Sequence, residues 1–126
     1  MTFDRLHHVA IIVSSREKAK EFYGEKLGLP ILRESFRPDK GDWKLDLRLG
    51  DGELEIFAVP SAPARPSYPE ALGLRHLAFR VDDIRKAVAE LEGKGIACEP
   101  IRVDPCSGRP FTFFRDPDGL PLELHE

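Results

Sequence analysis

The sequence predicts an α+β fold built from two tandem βαβββ modules. Three observations lead to it. The first is an internal repeat: Leu6-His7-His8-Val9-Ala10-Ile11-Ile12-Val13 matches Leu74-Arg75-His76-Leu77-Ala78-Phe79-Arg80-Val81 at an offset of 68 residues, with Leu, His, Ala and Val in common. The second is that the same offset aligns Leu54-Glu55-Ile56 with Leu122-Glu123-Leu124, so a His and a Glu stand 47 residues apart in each half. The third is the order of patterns in each half, in which an alternating segment precedes a helical one and further alternating segments follow.

The elements follow in order. Residues 5–13 alternate and end in β-branched residues, the signature of a strand. Ser14-Ser15-Arg16-Glu17 has the spacing of a capping box and predicts a helix start. Ala19, Phe22, Tyr23 and Leu27 share one face of that helix, and Gly28 and Pro30 end it. Strands are expected near 30–36, 43–49 and 53–59, the last two joined by the turn Gly50-Asp51-Gly52. Pro60, Pro63, Pro66 and Pro69 mark residues 60–73 as a linker. The second module opens with a strand at 74–81. Asp82 or Asp83 caps a helix running to about Lys94, with Ile84, Val88 and Leu91 on one side. Strands near 96–103, 110–115 and 120–125 complete it, with Asp116-Pro117-Asp118-Gly119 as the turn before the last. Module one is thus 1–59 and module two 74–126, and the 126 residues are expected to form one domain.

Composition narrows the function classes. With 19 basic against 22 acidic residues and a net charge of -3, there is no basic footprint for nucleic acid. No apolar run approaches the length of a membrane span. The start, Met1-Thr2-Phe3-Asp4-Arg5, lacks a signal-peptide layout, so a cytoplasmic protein with a small-molecule partner is expected. Cys98 and Cys106 lack the spacing of a zinc or redox motif and read as inert thiols.

The chemistry-bearing residues share a strand face. Val9, Ile11 and Val13 occupy one face of the first strand and His8, Ala10 and Ile12 the other. The same alternation puts His76, Ala78 and Arg80 opposite Leu77, Phe79 and Val81, and sets Glu55 and Glu123 apart from their apolar neighbours. With the apolar faces under the helices, two His and two Glu face the other way. Imidazole nitrogen and carboxylate oxygen suit a divalent transition ion such as Zn, Ni, Co, Mn or Fe(II). Singly, each residue reads as a structural His or a solvated Glu; the repeat is what groups them. His7 takes the helix-side phase, as a packed or edge residue. His125 shares the phase of Glu123 but has no counterpart in the first half. Arg80 reads equally as a salt-bridged strand residue or as an anion contact. Trp43, Phe111 and Phe113 can line a ligand pocket or belong to the core.

The duplicated plan, the opening Leu6-His7-His8-Val9-Ala10-Ile11, the Glu21-Phe22-Tyr23 of a helix ending at Leu27-Gly28-Leu29, and Phe114-Arg115-Asp116-Pro117-Asp118-Gly119 before Leu122-Glu123-Leu124 resemble the vicinal oxygen chelate superfamily. That group takes in glyoxalases, dioxygenases and bleomycin-resistance proteins. The resemblance implies that the modules form a curved, partly open mixed-sheet barrel around a metal. It places the metal ligands of small bacterial glyoxalase I on His8, Glu55, His76 and Glu123, and it implies a homodimer. The implied activity is a glyoxalase I-like lyase or isomerase acting on the thiol adduct of a 2-oxoaldehyde, with proton transfer through an enediolate. Glu123 is the first choice of base and Glu55 the second. Ile12 stands where that family has an Arg for glutathione, and Phe57-Ala58-Val59-Pro60 replaces its Asn-containing segment. The resemblance therefore carries the metal site and not the glutathione site. Other members offer alternatives: an epimerase, a dioxygenase or a non-catalytic ligand-binding resistance protein.

Overall fold

The computed structural model describes residues 1–126. It contains two compact units, Met1–Pro63 and Ala64–Glu126, with the division of the chain inside the proline-rich linker. Each holds one four-stranded mixed sheet.

In the first unit the strands are β1 (His8–Val13), β2 (Ile31–Arg37), β3 (Asp42–Leu49) and β4 (Gly52–Ala58), in the order β1-β4-β3-β2. β1 runs parallel to β4, which is antiparallel to β3. The β3–β4 turn leaves only Gly50 and Asp51 between paired Leu49 and Gly52, with Gly50 at φ 58°. A side chain at Gly52 would approach the His7 carbonyl oxygen to 3.0 Å. The same carbonyl accepts a hydrogen bond from the Glu53 N–H, so the lead into β1 lies tight against the start of β4. Leu45, Leu47, Leu54, Ile56 and Tyr23 are fully buried, while His8, Ala10 and Ile12 are on the exposed or half-exposed face of β1. The alternation read from sequence is the one observed.

The first helix departs from expectation. Its cap is Ser15, whose hydroxyl accepts from the Lys18 N–H, so the frame starts one residue later than the capping-box spacing implies. Helix α1 covers only Arg16–Ala19; the chain then widens into a π-helical stretch over Lys20–Lys26. There the Leu27 N–H reaches back five residues to the Phe22 carbonyl. The wider winding still buries Ala19, Phe22 and Tyr23.

The second unit repeats the plan with β5 (Leu77–Arg80), α2 (Ile84–Gly93), β6 (Arg102–Val103), β7 (Pro110–Arg115) and β8 (Pro121–His125). The sheet order is β5-β8-β7-β6, with β5 parallel to β8. Asp83 caps α2 by accepting from the Lys86 N–H, and the Glu126 carboxylate accepts from the Ile84 N–H. Two expected strands are shorter than their patterns. The strand expected over 74–81 begins only at Leu77, because the Leu74 and Arg75 carbonyls accept instead from the Arg65 guanidinium. The strand expected over 96–103 pairs only at Arg102 and Val103. Ile96 is held to the helix end through Leu91, and Pro100 has no N–H to give a ladder.

Each sheet is open and not closed into a barrel, within the α+β class of two four-stranded mixed sheets that the sequence predicts. No helix is long and apolar enough to cross a membrane.

The β2–β3 hairpin supplies a pH test. Arg37 donates two hydrogen bonds of 2.6 Å to the carboxylate of Asp42. This holds the Asp42 carboxyl below its ordinary range. Its contribution to stability is therefore complete above the unfolded carboxylate range and is lost as pH falls through the depressed folded value. Urea unfolding at neutral pH and in strong acid should show a smaller acid-side loss for Asp42→Asn than for the parent. Equal losses would mean that the pair does not contribute.

Candidate metal-ligating and substrate site

The register of the parallel pairs positions the candidate ligands. Ala10 lies opposite Glu55 across β1 and β4, and Ala78 lies opposite Glu123 across β5 and β8. In both units the His is two residues before that Ala and points to the same face. The side chains meet: His8 Nε2 is 3.3 Å from Glu55 Oε2, and His76 Nε2 is 2.9 Å from Glu123 Oε2. Both glutamates are half-buried, with 15% and 12% of their side chains exposed, against 41% and 33% for the histidines. Each pair thus lies at a surface where a ligand can reach it.

Those separations suit a common cation. Metal–nitrogen and metal–oxygen bonds of about 2.0–2.2 Å put ligands in neighbouring coordination positions about 3 Å apart. Each unit therefore offers one nitrogen and one oxygen donor at a usable spacing, in a chemistry that fits a divalent transition ion.

The two pairs differ in their surroundings. Glu55 is held from a second side, its Oε1 lying 3.0 Å from Lys44 Nζ. Lys44 also lies 3.2 Å from Oδ1 of the buried Asp46. Arg33 spans Asp46 and Glu53 at 3.0 and 2.6 Å. Asp46, Glu53 and Glu55 bring carboxylate oxygens within 4.8 Å of one another, and Arg33 and Lys44 supply the compensating charge. The Glu55 hydrogen bond is the chief reason that the Lys44 ammonium is held above its ordinary value. Around Glu123 there is no such network. Phe113 lies opposite it in the ladder, and the ring of Phe113 meets His76 edge-on at 5.0 Å. Glu123 Oε1 has no protein partner.

Sequence reasoning missed Arg33, Lys44 and Asp46. A signal for Asp46 was present, because a two-residue turn at Gly50-Asp51 fixes the β3–β4 register and so places Asp46 opposite Glu55. The remaining candidates also have definite places. His7 is exposed, with its Nδ1 2.9 Å from that of His8. Trp43 carries the Arg16 guanidinium 3.7 Å above its ring and tilts against Phe36, so it ties α1 to the sheet. Phe111 stacks on His125, whose Nε2 lies 3.3 Å from Asp104 Oδ2. Arg80, largely exposed, pairs with Asp82 at 2.9 Å and lines a cavity of about 440 Å³. Burial pushes the Cys98 thiol up, in keeping with an inert cysteine.

The turn ahead of β8 is organised by the buried Asp116. Its Oδ1 accepts from the Asp118 and Leu120 N–H groups, both at 2.9 Å, and Gly119 takes φ 85°. Replacing this acceptor leaves backbone donors unpaired, so Asp116→Ala should lower stability by about 1–3 kcal/mol in urea unfolding. A change below about 0.5 kcal/mol, the usual surface effect, would show that the turn stands without it.

Comparison with known proteins adds a family context. The family model described as "Glyoxalase/Bleomycin resistance protein/Dioxygenase superfamily" matches residues 5–124. The chain is 54% identical over 127 residues to the uncharacterized protein YwkD of Bacillus subtilis (strain 168), covering 100% of this chain and 99% of that one. It is 30% identical over 131 residues to the mitochondrial methylmalonyl-CoA epimerase of Homo sapiens, covering 97% of this chain and 73% of that one. A crystal structure of a glyoxalase family protein from Enterococcus faecalis shares 60% identity and superposes with a TM-score of 0.95, covering 100% of both chains.

Proposed function

We propose a metal-dependent proton transfer for this chain, which belongs to the glyoxalase/bleomycin resistance protein/dioxygenase superfamily. The reading is a glyoxalase I-like lyase or isomerase acting on a 2-oxoaldehyde thiol adduct. The observation that carries it is the recurrence of one His–Glu pair, at one register, in both units. His8, Glu55, His76 and Glu123 are the ligands proposed for a divalent transition ion, Ni, Co or Zn by preference. Such an ion, when bound, supplies Lewis-acid charge that favours ionisation next to a carbonyl.

The chain's own residues divide the work unequally. Glu55 is engaged on both oxygens, by His8 and by Lys44, and is therefore fixed in place. Glu123 is engaged on one oxygen only. That free oxygen can take a proton from a substrate carbon and return it to the neighbouring carbon, the task of a single general acid–base. Phe113, opposite Glu123 and edge-on to His76, limits water there, which favours keeping the proton on the glutamate between the two transfers. His8 and His76 remain ligands throughout. Ile12, exposed on β1, gives no cation for glutathione, so a different thiol is the expected carrier.

Epimerisation is the second reading. It uses the same removal and return of a proton next to a carbonyl, and the 30% identity to an epimerase across 97% of this chain favours it. Both readings require a small-molecule substrate, and a homodimer is the assembly proposed with them.

The test is turnover by protein reconstituted with Ni, Co or Zn, offered thiol adducts of methylglyoxal in deuterated water. Turnover with the proton handled by Glu123 should fall by about 10²–10⁴-fold in Glu123→Gln. The product carbon of the parent should carry a mixture of returned proton and solvent deuteron. Turnover that is unchanged in Glu123→Gln would overturn the assignment of the base. Deuterium exchange into a 2-methyl-branched thioester without net conversion would favour the epimerase reading.

A further inference from the structure

Unit two contains a cavity that the proposed proton transfer leaves unexplained. Its volume is about 440 Å³, and it is lined by Ala78, Phe79, Arg80, Arg109, His125 and Glu126. Arg80 and His125 face each other across the β5–β8 ladder. Arg109 approaches from the loop before β7, and that loop is fixed. The Asp104 N–H donates to the Arg109 carbonyl at 2.9 Å, the Arg109 N–H to Ser107 Oγ at 3.3 Å, and the Gly108 N–H to the Asp104 carbonyl at 2.7 Å.

The acidic groups near the cavity are each engaged with other partners. Asp104 pairs with His125 Nε2. The Glu126 carboxylate keeps its charge but accepts from the Ile84 N–H, and the main-chain oxygen of Glu126 lies 2.7 Å from His125 Nδ1. Asp82 pairs with Arg80, but both side chains lie mostly in solvent, at 89% and 78% exposure, so that pair is weak and exchangeable. The Arg109 guanidinium has no hydrogen bond or ion pair within the protein. Two arginines that stay charged at any working pH, each carrying a planar fork of donors, therefore line one concave site.

We propose that this cavity is an anion-binding subsite, in which Arg80 and Arg109 grip a carboxylate or phosphate group of the substrate. The proposal rests on the function proposed above for its account of the reacting end. His125 lies two residues along β8 from Glu123, a step of about 6.5 Å. A molecule whose reacting carbon sits at the His76–Glu123 pair thus reaches the arginines with an anionic group only a few bonds away. The substrate class is a compact carbonyl compound bearing its own acidic group, and the carrier need not supply one. Arg109 is a binding residue without a counterpart in the first half, where the same offset places Gly41.

The experiment is backbone amide NMR of the full chain at neutral pH. It is run after chelation and again after zinc addition, with inorganic phosphate and acetate titrated separately. Saturable shifts at Ala78, Phe79 and Arg109 in the millimolar range are expected in both states, weakened tenfold or more in Arg80→Ala and in Arg109→Ala. Both side chains are exposed, so neither variant threatens the fold. Tighter binding of phosphate would assign a phosphoryl group, and tighter binding of acetate a carboxylate. No saturable shift with either anion, or affinities unchanged in the variants, would overturn the proposal. So would shifts confined to the zinc-loaded protein, since the anion would then be on the metal. Anion binding retained in a protein that takes up no zinc would sink the metal reading and leave the subsite standing.

Discussion

In each unit the first strand runs parallel to the last, and the register of that pairing decides where chemistry can occur. Parallel pairing aligns residues along two strands that are distant in sequence, and a slip of one residue would turn every side chain to the opposite face. Ala10 opposite Glu55 and Ala78 opposite Glu123 are the same register in two copies. A small side chain at each position leaves space for the imidazole two residues earlier to lean across to the carboxylate. The buried rows beneath, Leu54 with Ile56 and Leu122 with Leu124, lock the register by hydrophobic contact. Moving those leucines to solvent would cost far more than any gain on the polar face.

Duplication supplies two equal frames, and the surrounding residues make them unequal. Glu55 sits in a network with Lys44, Asp46 and Arg33, which fixes its position. Glu123 has His76 on one oxygen and phenylalanine rings nearby. A carboxylate that must pick up and release a proton is better served by the second environment, and one that must only hold a cation by the first. The cavity lined by Arg80 and Arg109 also lies in the second unit. The glutamate oxygen without a partner and the arginine-lined cavity thus both lie in the second unit.

Much of this was legible in the chain. Strand phase was legible because alternation reports burial directly, and the exposed His8, Ala10 and Ile12 against buried Ile11 and Val13 follow it residue by residue. The repeat offset made the His–Glu pairs legible, since matching phase in two copies is hard to produce by accident. The Lys44–Asp46–Arg33 network was less so, because it needs the β2–β3 register as well as the turn at Gly50-Asp51, and β2 carries an irregularity between Ile31 and Arg33. Strand ends were obscured by side chains that compete for backbone groups, as Arg65 does at Leu74 and Arg75. The widened turn over Lys20–Lys26 keeps Phe22 and Tyr23 buried, so apolar spacing alone does not distinguish it from an α-helix. Arg109 lies in a loop, where no periodicity marks a functional side chain.

The central claim is that the recurring His–Glu pairs are metal ligands. Calorimetric titration of the chelated chain with zinc tests it most directly, alongside His8→Ala and His76→Ala. Saturable zinc uptake by the parent, weakened tenfold or more in each variant, is the predicted result. No uptake by the parent, or uptake unchanged in the variants, would contradict it, since the pairs would then be imidazole–carboxylate contacts alone.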